Sequence, residues 1–373
     1  MICLLYLQGF ILMINISKPY LPPIEEFTSY LTKIWSSGIV TNNGPFVQEF
    51  EIALKKYTGA KHAFFVSNGT IALKLAIRAL NIKGQILTTP FSMIATLDSI
   101  LWEKHEPAFA DIDPETLNLD PDHAEKRINV ETGCIIATHV YGNACNIERL
   151  EAITANRKIP LIFDASHAFG TRYNGRDIMT YGTVSTLSLQ AFKILHSVEG
   201  GVVFTNDDAI AEKIFQMRYF GYDINMDVKS IGINGKSSEI NAALGLCVLN
   251  HFDEVRLSRQ DQSEYYDTLI TKHQLNIKRP IVTKNSKFNY AYYAIMLPTE
   301  ADVLRIQKEF EKNSIQFKRY FYPSLNTLNI LKFNEPMPVS ESTASRIICL
   351  PLYFDLTRTE QDLVIDSIVS SLK

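Results

Sequence analysis

Lys193 stands in the run Ser188–Gly201 (SLQAFKILHSVEGG), a stretch made largely of apolar and small residues that lies beyond one apolar segment and directly before another, Val202–Phe204. A lysine held in such surroundings is a candidate imine former, because desolvation lowers its pKa and frees the amine lone pair. Taken alone, it reads better as a surface lysine. A second cluster, Phe163–Gly170 (FDASHAFG), puts the carboxylate of Asp164 at the end of an apolar run with His167 three residues on. Asp164 alone is an N-cap candidate, but a carboxylate so placed can also keep a pyridine nitrogen protonated, so that the ring accepts electrons from a carbanion. His167 can lie against such a ring or hydrogen-bond its phenolic oxygen, and alone it reads as a buried structural histidine. The third cluster is Ser67-Asn68-Gly69-Thr70, just before a helical run. There Gly69 lets backbone approach an anion, and the helix N-terminus supplies free N–H groups for a phosphate. Together, Lys193, Asp164 and the Gly69-Thr70 turn are the three groups that a pyridoxal-phosphate (PLP) enzyme requires.

The elements that must position these groups follow from the periodicity. Ile24, Phe27, Leu31, Ile34 and Trp35 recur at helical spacing before Gly38, and Phe46, Phe50, Leu54 and Tyr57 do so after Pro45. The pattern then changes to short apolar runs that read as strands: His62–Val66, Gln85–Thr89, Pro107–Asp111, Cys134–His139, Pro160–Asp164, Ser185–Leu189 and Gly201–Thr205. Helical or irregular stretches separate them, among them a helix over Ile71–Leu80. Seven apolar strands with interleaved helices predict an α/β fold with a mainly parallel, doubly covered sheet. In such a sheet ligands bind outside the carboxyl ends of the strands, where all three clusters fall. Past about residue 250 the reading changes to a long polar helix (Asp253–Thr271), a Tyr-rich strand (Asn289–Met296) and a final helix (Thr359–Leu372). This divides the chain into a large cofactor domain, 13–250, and a smaller C-terminal α/β domain, 251–373.

Composition excludes several function classes. A length of 373 residues, 46% of them hydrophobic, is ample for two cores. With a formal charge of -3 and no basic stripe interleaved with aromatics, neither nucleic acid nor an anionic membrane surface is an expected partner. The five cysteines are scattered and never in a CxxC pair, which suggests neither a disulfide framework nor a zinc site and fits a reducing cytoplasm. Residues 1–12 (MICLLYLQGFIL) form an apolar run too short to span a bilayer, with no basic flank and no clear cleavage site. They read as an upstream extension, with Met13 as the natural start.

From Met13 onward the chain resembles the DegT/StrS family of fold type I sugar aminotransferases, in particular its dTDP-4-amino-4,6-dideoxyglucose-forming branch. The segments that carry the resemblance are Lys18–Pro23, Thr41–Pro45, Ser67–Leu73, Thr89–Thr96, Thr138–Asn143, Phe163–Gly170, Ser188–Gly201 and Gly232–Glu239. It implies that Lys193 forms the Schiff base with PLP, Asp164 pairs with the pyridinium nitrogen, and His167 sits beside the ring. Gly69, Thr70 and Ser188 would hold the phosphate. Asn234 would reach the phosphate of a neighbouring protomer, implying a homodimer with shared active sites. Two positions depart from the family pattern. Met93 replaces the usual aromatic side chain on the cofactor face with a thioether that stacks less specifically. Lys236 stands where many relatives have an arginine, offering a point charge in place of a bidentate fork for the donor's carboxylate.

The implied reaction is a two-stage transamination. L-glutamate converts PLP to pyridoxamine 5'-phosphate, and a nucleotide-linked keto-sugar then takes the amine. Relatives that aminate C3 carry a Lys-Asn-Leu-Gly run, whereas Lys193 here is followed by Ile194-Leu195-His196, closer to the C4 enzymes. A C3-aminating enzyme is therefore the first alternative. The family's sugar dehydratases have histidine in place of the lysine, so Lys193 argues against that branch. A nicotinamide dehydrogenase would need GxGxxG where this chain has Ser67–Thr70. A carbohydrate-binding or regulatory protein on the same fold is a further alternative; unlike a lysine-linked PLP enzyme, it would not be yellow.

Overall fold

The apolar runs become strands because each is buried on both faces, which leaves alternation without value and favours continuous β-branched and aromatic sequence. A computed structural model describes residues 13–331 and 335–372; the apolar run 1–12 lies outside the described residues. Seven strands form the main sheet: β1 His62–Val66, β2 Gln85–Thr88, β3 Pro107–Phe109, β4 Thr132–Thr138, β5 Leu161–Asp164, β6 Val184–Ser188 and β7 Gly201–Thr205. Their spatial order is β1-β7-β6-β5-β4-β2-β3. All neighbours are parallel except β7, which runs antiparallel to both β1 and β6. The expected α/β class and mainly parallel sheet are therefore observed.

Alternate residues of each strand enter opposite cores. Phe65, Leu87, Ile135, Phe163, Leu187 and Phe204 pack on one face, and Phe64, Ile86, Ile136, Ile162, Val184 and Val203 on the other. Full burial of each such side chain contributes about 1.5–3 kcal/mol, so register is strongly fixed: a one-residue slip would exchange the two cores. The β6–β7 connection is the segment that carries Lys193.

Residues beyond 250 build a second core. The helix Phe252–Lys272 leads to an antiparallel pair, β8 Tyr293–Met296 with β9 Ile347–Leu350, covered by the helices Glu300–Lys312 and Arg358–Leu372. The strand expected over 289–296 begins only at Tyr293. Tyr290 has φ +58°, and Ala291 N–H donates to the Asn289 side chain at 3.1 Å, so the backbone turns before it can enter a ladder. The first described residues also join this core. Ile14 exchanges backbone hydrogen bonds with Ser314 and Gln316, and Ile16 O accepts from Leu352 N–H. Among the described residues no helix is long and apolar enough to cross a membrane.

Candidate active site

The loop from β6 to β7 is closed at its base and tied on its flanks. Leu189 N–H donates to Gly200 O at 2.8 Å and Ser197 N–H to Leu189 O at 3.0 Å, while the Asn241 amide donates to Ser197 O and Glu199 O at 2.6 and 3.0 Å. His196, three residues after the lysine, is bonded through Nε2 to Tyr20 O at 2.8 Å. Val198 takes φ +66°, a strained value for a β-branched side chain. This framework holds Lys193 in place. Burial depresses its amine to a pKa of about 8, against the attraction of Asp164 and with the help of Lys318. Such an amine is about half neutral near pH 8, where an ordinary lysine is almost wholly charged, and a nucleophile or general base must be neutral to act.

Asp164 ends β5 and is buried. One carboxylate oxygen accepts from Thr96 Oγ1 at 3.0 Å and the other from Ser166 N–H at 3.1 Å, which fixes the plane of the group. His167 is buried as well, with its ring 4.6 Å from that of Tyr292 and nearly parallel to those of Tyr141 and Phe321. Burial, reinforced by the Lys193 charge, holds this imidazole well below its usual pKa and therefore neutral. Its Nδ1 is buried without a hydrogen-bond partner among the described residues. An unsatisfied polar atom of this kind costs about 1–3 kcal/mol and calls for a ligand or water.

Ser67-Asn68-Gly69-Thr70 links β1 to the helix Gly69–Ala79. Asn68 caps that helix by accepting from Ile71 N–H at 2.9 Å, which leaves the N–H groups of Gly69 and Thr70, without a partner in the helix, for an anion. The reason for glycine at 69 is close approach: a Cβ there would lie 2.8 Å from the Ser188 Cβ. The helix start and the end of β6 are thus in contact, and Ser188, His167 and Lys193 line one small cavity together with Ser166, Ala291 and Tyr292.

Of the expected residues only His167, Ser188 and Lys193 line that cavity; Gly69, beside Thr70, packs on Ser188 and Asp164 acts on Lys193 through its charge, whereas Met93, Asn234 and Lys236 are not brought to it. Met93 precedes the helix Ile94–Trp102 and is half exposed, outside the cavity lining. Asn234 and Lys236 lie on a segment that passes β1, where Ser67 N–H donates to Gly235 O at 2.8 Å. There Lys236 Nζ donates to Asn234 Oδ1 at 2.6 Å and rests against the rings of Tyr219 and Phe220. The sequence reading did not single out Thr96 or Tyr292. Thr96 was within reach as a hydroxyl at the start of a helix, whereas Tyr292 carried no local signal.

The residues present fit PLP. A lysine with a depressed pKa, a buried fixed carboxylate, a neutral histidine with an unpartnered nitrogen, and a helix N-terminus in contact with Ser188 converge at the carboxyl ends of three strands. Lys193 would take the carbonyl carbon, Asp164 the pyridine nitrogen, and Gly69, Thr70 and Ser188 the phosphate.

Comparison with known proteins agrees. The chain is 34% identical over 360 residues to a dTDP-4-amino-4,6-dideoxy-D-glucose transaminase of Shigella dysenteriae, covering 95% of this chain and 98% of that one. It is 30% identical over 348 residues to a GDP-perosamine synthase of Vibrio cholerae, covering 91% and 94%. The fold superposes on DesI, solved in the presence of its TDP-sugar product, with a TM-score of 0.90, 26% identity and 97% and 93% coverage. It also superposes on NtdA from Bacillus subtilis, solved with bound cofactor PMP, with a TM-score of 0.86, 25% identity and 94% and 82% coverage. The model of the DegT/DnrJ/EryC1/StrS aminotransferase family matches residues 23–369, and with the fold and site above this places the chain in that family.

Proposed function

We propose that this PLP-dependent sugar aminotransferase moves an amino group from L-glutamate to C4 of dTDP-4-keto-6-deoxyglucose, forming dTDP-4-amino-4,6-dideoxyglucose. The observation that carries the chemistry is the depressed, geometrically fixed Lys193 amine beside Asp164 and His167. The choice of sugar rests on the near full-length similarity to the dTDP-4-amino-4,6-dideoxy-D-glucose transaminases of Shigella dysenteriae and Escherichia coli. When bound, PLP supplies an electron sink for the carbanion formed at the substrate carbon. With the group bound, Lys193 would be the residue that takes the proton from the donor's α-carbon in the first half-reaction and returns one to the sugar carbon in the second. Asp164 would keep the pyridine nitrogen protonated, and neutral His167 would hold the ring without adding charge. Ser188, Gly69 and Thr70 would hold the phosphate. The roles of Met93 over the cofactor face and of Lys236 at the donor's carboxylate rest on the family resemblance alone, since neither side chain lines the cavity around Lys193.

The test is the structure of the product. Incubation with glutamate and a panel of nucleotide keto-sugars should give an amine at C4 of the dTDP-linked 6-deoxyhexose, read by NMR of the purified product. The loop after Lys193 borders the reacting carbon, so its side chains select which ketone reaches attack geometry. An amine at C3, or acceptance only of a 3-keto isomer, overturns the regiochemistry and leaves the aminotransferase reading in place.

In this reading the enzyme works in the cytoplasm as a homodimer, with Asn234 completing the phosphate site of its partner. Asn234 is exposed and makes no hydrogen bond to the Lys193, Asp164 or Gly69 clusters among the described residues, as a residue meant for a second chain would be. Lys193→Ala and Asn234→Ala proteins, each of low activity, should regain activity after subunit exchange. Each heterodimer then has one intact composite site, so about a quarter of wild-type activity is the ceiling at complete exchange. No recovery after verified exchange rules out shared sites.

A further inference from the structure

A general base must be stabilised after it has taken its proton as well as before. Lys193 makes one side-chain hydrogen bond among the described residues, from Nζ to the phenolic oxygen of Tyr292 at 3.4 Å. Tyr292 is not loosely placed. The Arg259 guanidinium, buried in the helix Phe252–Lys272, donates to Ala291 O at 3.0 Å. Asn289 donates to His167 O and Phe169 O at 2.9 and 3.0 Å while accepting from Ala291 N–H. Residues 289–292 are therefore clamped between the C-terminal unit and the loop that follows Asp164. The Tyr292 ring is further fixed against His167 at 4.6 Å and edge-on to Tyr320 at 5.3 Å.

Resting on the reading of Lys193 as the proton carrier, we propose that Tyr292 is its positioning residue: the phenolic oxygen accepts the hydrogen bond of the lysine ammonium whenever Lys193 holds the proton. The charged groups around the pair are consistent with this. Lys193 faces Asp164 from β5, His167 from the following loop and Lys318 from the C-terminal unit. Asp164 favours the ammonium, whereas burial and Lys318 oppose it. Tyr292 itself is driven well above the usual phenol range by burial, with Tyr320 and Cys349 adding to the effect and Arg259 opposing it. It therefore stays neutral, with a lone pair free to accept. A hydrogen bond to the charged form of a base raises its pKa. Tyr292 thus limits how far burial depresses Lys193, keeping the amine basic enough to take a carbon-bound proton.

The test is Tyr292→Phe, which keeps the ring and removes the acceptor. The titration midpoint of the Lys193 amine is read by competitive acetylation and peptide mass spectrometry across pH, on the full-length protein with its cofactor dialysed away. It should fall by about one pH unit in the Phe variant. In the holoenzyme the ascending limb of kcat against pH should move the same way, with a plateau about tenfold lower. Tyr292→Gln restores an acceptor and should return the midpoint most of the way. An unmoved midpoint in a Phe variant with wild-type melting behaviour, or equal shifts in Phe and Gln, overturns the role of Tyr292. A wild-type holoenzyme with no lysine-linked visible absorption overturns instead the reading of Lys193 on which it rests.

Discussion

Replacing Lys193 with alanine should abolish turnover, by about 10⁴-fold or more, and remove the yellow colour of the lysine-linked cofactor while leaving the protein folded. The loss combines two roles that no other residue near the cavity can take over. A positioned general base alone accounts for about 10²–10⁴ in rate, and the nucleophilic amine that holds and releases the cofactor disappears with it. His167, which lines the same cavity, is neutral but buried against aromatic rings, and its pKa is held too low for it to take a proton from carbon at neutral pH. The fold should be indifferent. Lys193 contributes one long hydrogen bond, to Tyr292 at 3.4 Å, and the loop's own backbone bonds do not involve its side chain. Losing an interaction of this kind costs about 1 kcal/mol or less, which in a protein of this size moves Tm by no more than about 3 °C. Kinetic assay, visible spectrum and thermal melt on one preparation decide the matter. Wild-type turnover sinks the assignment, and collapse of the fold shows that the loop depends on the lysine.

The extent to which the site was legible in the sequence follows from how local each signal is. Strands such as His62–Val66 and Gly201–Thr205 appear with the bounds read from the sequence, because an apolar run between turn residues carries both its period and its ends. Asp164, Lys193 and Gly69 stand out for the same reason: each is a polar or special residue at the end of such a run. Thr96 and Tyr292 do not, since their value arises with partners at sequence separations of 68 and 99. Tyr292 was also disguised. Its run reads as a strand, and only the left-handed turn at Tyr290 and the Asn289 side chain take it out of the ladder and towards Lys193. Ile14 and Ile16 show the same limit at the level of the fold. They precede the first helix of the large sheet domain in sequence, yet they pair with Ser314, Gln316 and Leu352, because an extended segment finds its edge wherever the backbone groups are unpaired.

Asp164→Asn should lower kcat by about 10²–10³-fold with little change in stability, a range typical of removing one electrostatic group aimed at developing charge. The substitution keeps the shape of the side chain and changes its charge. The asparagine oxygen can still accept from Ser166 N–H, and its amide can donate to Thr96 Oγ1, whose hydroxyl rotates to receive it. What is lost is the negative charge that, in the proposed mechanism, keeps the pyridine nitrogen protonated. The same charge also acts on Lys193, where it opposes the effect of burial. Removing it should move the lysine below its present value of about 8, so the ascending limb of the pH–rate profile shifts to lower pH as the plateau falls. Tyr292→Phe is expected to shift the limb in the same direction but to lower the plateau only about tenfold from wild type, because it leaves the electron sink intact. Thr96→Val separates orientation from charge: the carboxylate remains but loses one anchor, and kcat should drop by about tenfold without the displaced limb. A kcat for Asp164→Asn within threefold of wild type, measured at saturating cofactor, would falsify the pairing of Asp164 with the cofactor nitrogen and leave it a structural cap at the end of β5.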